Sequence, residues 1–228
     1  MMKRLTALPA SLLLAAALTG AQAQSANGPM YEVTITNLTR GASFTPILVA
    51  SHRAGVKLFD LGQPASAELA IMAEGGDIAP LEQALRADGR VVDIASTDGL
   101  LGPGQSVTVR VAVRRADHIS LAAMILPTND GFIALNGVAA PRFGSETHRL
   151  PGYDAGSEPN DELCAAIPGP QCGEINGGEM GEGVSSPSAD DEGFVHVHAG
   201  IHGIADLKAA EYDWRNPVAA VTIRKSLR

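Results

Sequence analysis

Residues 106–126 read SVTVRVAVRRADHISLAAMIL, and this stretch decides the fold. Its first part, 106–113, alternates with period two and is rich in β-branched Val and Thr, the signature of a half-buried strand. Its second part, 118–126, is a strand-length run that is almost wholly apolar. Working outward, 31–37 (YEVTITN) alternates in the same way, 45–51 (TPILVAS) is a second apolar strand, and 218–225 (VAAVTIRK) closes the domain. Shorter strands are expected at 131–136 and 194–198. Segments 66–73 and 80–87 read as short helices, with Pro80 suited to a first helical turn. Strands dominate, and no regular βαβ alternation occurs. The pattern predicts a mainly β fold, an antiparallel sandwich with a short helical insertion.

The remaining composition agrees with this. The 228 residues suit one domain, 45% are apolar, and 25 Gly with 14 Pro imply many turns rather than a long helical bundle. The N-terminus carries Lys3 and Arg4, an apolar run over 5–18, and Ala21-Gln22-Ala23. This order is that of a secretory signal peptide, 1–23, and the run is too short for a membrane span. Residues 24–30 then form a short linker and 31–228 the domain. Removing Lys3 and Arg4 from the 17 basic residues leaves 15 against 25 acidic, a net charge near −10. Such a charge disfavours nucleic acid and anionic membrane surfaces and leaves metal cations, sugars and other proteins as partners.

The two cysteines, Cys164 and Cys172, lie in the exported part. In an oxidising compartment, periplasmic or extracellular, they can close a small disulfide loop. A thiolate metal pair, the alternative, usually has shorter spacing. The surrounding stretch, 152–193, is rich in Gly, Pro, Ser, Asn, Asp and Glu and reads as an extended acidic loop.

Oxygen donors concentrate in two loops, Pro127-Thr128-Asn129-Asp130-Gly131 and the segment 153–162, YDAGSEPNDE. Calcium takes six to eight oxygens, and loops at one end of a sandwich can supply them from distant positions. The same residue types are also the ordinary currency of solvated turns. A second cluster is HVHAGIH, with His196, His198 and His202. On a strand, His196 and His198 project from one face, and imidazole suits zinc or copper. The alternative is that these rings hydrogen-bond neighbouring loops. No G-x-S-x-G elbow, H-E-x-x-H or phosphate-binding loop occurs, and the vicinal Ser51-His52 pair would point to opposite faces of a strand. Trp214, just before the closing strand, reads as a core plug or loop anchor. Enzymatic activity is not expected.

PTNDGFIALNG followed by YDAGSEPN resembles the spondin N-terminal domain family. The segments LFDLGQPASAELAIMAEGGDIAPLEQAL, GFVHVHAGIHG and DWRNPVAAVTIRK share the resemblance, so it spans most of 31–225. It implies a β-sandwich related in shape to C2 domains, with calcium bound by loops at one end. The family's acidic positions fall on Asp130, Asp154 and Glu158, the last being Asp in animal members. Asn129 and Asn160 lie beside these positions as candidate auxiliary oxygens, which the resemblance itself does not designate. The expected function is an exported, non-enzymatic calcium-binding domain that engages an extracellular or envelope protein, lipid or polysaccharide. The alternative is a zinc- or copper-binding protein built on His196, His198 and His202.

Overall fold

The computed structural model describes residues 28–114, 117–181, 183 and 188–226. The expected signal peptide lies outside the described residues. Two antiparallel sheets form the body. The first is ordered β5-β1-β11-β8, where β1 is Met30–Asn37, β5 Ser106–Ala112, β8 Ser145–Leu150 and β11 Ala219–Lys225. The second is ordered β10-β9-β7-β6-β3-β4. Its members are β3 Leu48–His52, β4 Val91–Ser96, β6 His118–Leu126, β7 Gly131–Ala139, β9 Gly152–Asp154 and β10 His196–Val197. A two-residue strand, β2 (Ser43–Phe44), adds to β6.

Period-two alternation decides which side chains meet. In the first sheet Val33, Ile35, Val109, Val111, Val221 and Ile223 face inward. They join Val49, Ile119, Leu121, Ala123, Ile125 and Ile133 of the second sheet in one core. The outward face of the first sheet is polar, with Thr34 bonded to Thr108 and Thr147 to Thr222. The second sheet is apolar on both faces, which explains why 118–126 shows no alternation. Its other face carries Leu48, Ala50, Ala122, Phe132 and Ala134. Two helices cover it, α1 (Ala67–Gly75) and α2 (Ala79–Ala87), through Leu69, Met72, Ala73, Leu81 and Leu85. The sandwich is therefore backed by a third, helical layer. Ser66 caps α1 by accepting the Leu69 N–H, and Pro80 sits in the first turn of α2 as expected.

The expected strand at 45–51 is displaced. Pairing stops at Phe44 and resumes at Leu48, because Pro46 has no N–H to donate. Strands β4, β8 and β9 were not foreseen. The stretch expected as one extended loop begins with β9 and contains α3 (Pro170–Ile175). A short fourth helix, α4, spans Ala209–Tyr212. Cys164 and Cys172 form a disulfide, with both residues fully buried in the inter-sheet core. Trp214 is buried there too, its ring against His198. Among the described residues no helix is long and apolar enough to cross a membrane.

Candidate functional site

One end of the second sheet gathers the acidic loops. The turn between β6 and β7 is closed by Thr128, whose Oγ1 donates to the Ile125 carbonyl and accepts the Gly131 N–H at 2.9 Å. This leaves Asp130 at the entry to β7. Strand β9 pairs with β7 so that Asp154 stands opposite Gly131, and the Ala155 N–H donates to the Asp130 carbonyl at 3.2 Å. Strand β10 then pairs with β9, setting His196 opposite Asp154. Cross-strand neighbours lie about 5 Å apart, so the ladder itself delivers Asp130, Asp154 and His196 to one place.

The turn after Asp154 holds the arrangement. Gly156 has φ 65°, and its N–H donates to Asp154 Oδ1 at 2.9 Å. A side chain there would bring a Cβ within 2.4 Å of the Phe194 carbonyl oxygen, so the close approach of the two chains needs glycine. The next N–H groups, of Ser157 and Glu158, donate to Asp130 Oδ2 at 2.7 and 3.1 Å. Asn160 Nδ2 donates to Asp154 Oδ2 at 2.7 Å and to Glu192 Oε1 at 3.0 Å. His196 Nε2 lies 3.3 Å from Asp154 Oδ1, and His198 Nε2 lies 3.9 Å from Asp154 Oδ2.

The electrostatics are lopsided. Asp130 and Asp154 are both 0% exposed, and Asp130 Oδ1 is a buried atom without a hydrogen-bond partner. Burial, reinforced by the neighbouring Asp154 charge, pushes the Asp130 carboxyl up to about 8. Burial likewise raises Asp154. It drives His198 the other way, down to about 4, with the nearby His196 and His202 adding to the shift. Carboxylates without a compensating cation are costly to bury. The donor set fits a divalent cation, which would supply that compensation through Asp130, Asp154 and the acidic groups beside them.

The sequence-derived residues divide as follows. Asp130 and Asp154 come together, and Glu158, buried in the turn after Asp154, meets Asp130 through its backbone N–H. His196 and His198 both approach Asp154, but His198 Nδ1 accepts the Gly200 N–H at 2.9 Å. His202 is exposed, and its backbone N–H is held by Glu162. Glu162 also accepts the N–H groups of Gly203 and Ile204 at 2.8 and 3.0 Å. Asn129 is occupied elsewhere, donating to Asp161 and accepting the Glu162 N–H. Glu192 was missed, and Glu162 was read only as a member of the oxygen-rich segment 153–162. Glu192 sits in a Gly- and Ser-rich stretch with no periodicity, and only its position four residues before His196 hinted at it. Asp154, Glu192 and His196 each offer a donor atom within 4.8 Å of the other two.

Compared with models of protein families, the chain matches the one described as Spondin_N over residues 34–158, more than half of its length. The match takes in Asp130, Asp154 and Glu158 and stops before Glu192 and His196. A search of curated proteins finds no match.

Proposed function

The chain belongs to the Spondin_N family, and from that premise we propose that it is an exported, non-enzymatic binding domain whose loop end is organised by calcium. The observation that carries this reading is the pair of fully buried carboxylates, Asp130 at the entry to β7 and Asp154 at the end of the neighbouring β9. Calcium suits their oxygens, with Glu158 in the same turn and the Asn160 amide at hand. The family is of the extracellular type, and the Cys164–Cys172 disulfide is in keeping with a periplasmic or secreted location.

In this reading the ion offsets repulsion between the carboxylates and fixes the turns around them. A rigid loop end then presents exposed apolar side chains beside the site. Phe194 packs its ring on His196 at 5.4 Å, and exposed Ile204 gives the last of the three N–H groups held by Glu162. A protein, lipid or polysaccharide of the envelope or extracellular space is the partner class. Elemental analysis of protein purified without chelator, paired with melting curves in calcium and in EDTA, tests the reading. Roughly one calcium per chain with a lower Tm in EDTA supports it. No calcium and no EDTA effect removes it.

A further inference from the structure

Resting on the cation reading above, we propose that Asp154, Glu192 and His196 form an adjoining position for a transition-metal dication of the zinc class, sharing Asp154 with calcium. Their donor atoms all lie within 4.8 Å of one another, close enough for side-chain rotation to seat one ion between them. The hydrogen bonds assign the imidazoles different jobs. His196 Nδ1 faces the Val197 carbonyl oxygen at 3.2 Å, and a carbonyl only accepts. The proton of a neutral His196 ring is therefore on Nδ1, and Nε2 turns its lone pair to Asp154 Oδ1 at 3.3 Å. A proton or a metal cation must lie between two such acceptors.

His198 supplies the second observation. Its side chain is 3% exposed, its Nδ1 accepts the Gly200 N–H, and its Nε2 has no hydrogen-bond partner. The neutral ring thus aims an Nε2–H at Asp154 Oδ2 across 3.9 Å, too far for a hydrogen bond. A small shift of Asp154 onto an ion closes that gap, making His198 a positioning residue and His196 the ligand.

An imidazole nitrogen is a zinc-class donor, whereas calcium takes oxygen. Three protein ligands leave a fourth position open for water or a donor from a partner. Because Asp154 serves both positions, each ion weakens the binding of the other, and the effect is reciprocal.

Calorimetric titration of chelator-treated protein with zinc chloride, and separately with calcium chloride, tests this. The wild type takes one zinc per chain, and saturating calcium weakens that binding. H196Q loses zinc affinity by about tenfold or more, a much larger loss than it shows for calcium. E192Q also loses zinc affinity and serves as the second variant should H196Q fail to fold. Zinc binding undiminished in both variants overturns the proposal, as does calcium binding with no zinc binding at all. Zinc binding that needs His196, in a protein that ignores calcium, upholds this position and removes the calcium reading instead.

Discussion

Asp130, in the turn that leads into β7, is tied to the end of β9 beside Asp154 by the hydrogen bond from the Ala155 N–H to the Asp130 carbonyl, and neither Asp side chain is exposed to water. Two carboxylates in such a setting make the energetics of this end of the domain depend on what lies between them.

Asp154→Asn removes one of the two charges. With calcium at 100 times its Kd, the ion stabilises the wild type by about 2.7 kcal/mol, or roughly 5–10 °C for a domain of this size. The variant loses most of that increment in calcium, beyond a loss common to both buffers from the Gly156 and Asn160 bonds to Asp154. Scanning calorimetry in the two buffers reads the difference. Equal losses in both would refute a cation-ordered site.

The pH dependence carries a sign that identifies the site. In the cation-free protein Asp130 is raised from 3.8 to about 8. Its contribution to stability is fully present below the unfolded value and is lost as pH rises through the folded one. His198, depressed from 6.5 to about 4, acts oppositely, contributing above 6.5 and losing that contribution as pH falls through about 4. The two oppose each other between about 4 and 6.5, so from about 6.5 to 8 the Asp130 contribution is no longer offset by His198, and Asp154, raised in the same direction, adds to it. In EDTA the Tm therefore falls across that upper window. In calcium the fall disappears, and binding at neutral pH releases about one proton per ion, measurable by calorimetry in buffers of different ionisation enthalpy. A Tm in EDTA that rises between 6.5 and 8 would contradict the assignment.

Glu162 gives a contrast that no cation should touch. It is the one non-glycine among the described residues with positive φ, 59°, and its carboxylate accepts three successive backbone N–H groups. Those bonds offset the backbone strain and tie the disulfide-bearing segment to the loop after β10. Glu162→Gln removes the charge from three bonds and costs about 2 kcal/mol by urea denaturation. The loss is the same in calcium and in EDTA, unlike that of Asp154→Asn.

How much of this was legible in the sequence follows from burial. Strands β1, β5 and β11 face one core and one solvent layer, so their alternation was plain. The buried β6 showed itself as an apolar run. By contrast β8, SETHRL, is an edge strand with mostly exposed side chains, and β9 is three residues including a glycine. Neither carries a pattern that propensity could register; both exist because a neighbouring strand supplies hydrogen bonds. Asp130 was legible as the acidic residue just after the buried β6, and Asp154 and Glu158 as members of the oxygen-rich segment 153–162 and of the resemblance carried by YDAGSEPN. Glu192 was not, because its place depends on the Asn160 amide that reaches it. His196 and His198 were read as one face of a strand, and both do approach Asp154. What separates their roles, the Val197 carbonyl on one ring and the Gly200 N–H on the other, is backbone geometry that spacing does not encode.

The lateral order β7-β9-β10 has a consequence for time as well as for space. Each strand docks on the one before it, and the outermost has only two residues, too few to hold its place until β9 is seated. The histidine side of the pocket is thus the last wall raised, after the central sheet exists. Until then an ion meets only part of its ligand set. On the cation reading, an ion would meet its full ligand set only once β9 and β10 are seated, which makes it a seal on a finished molecule rather than a seed for it.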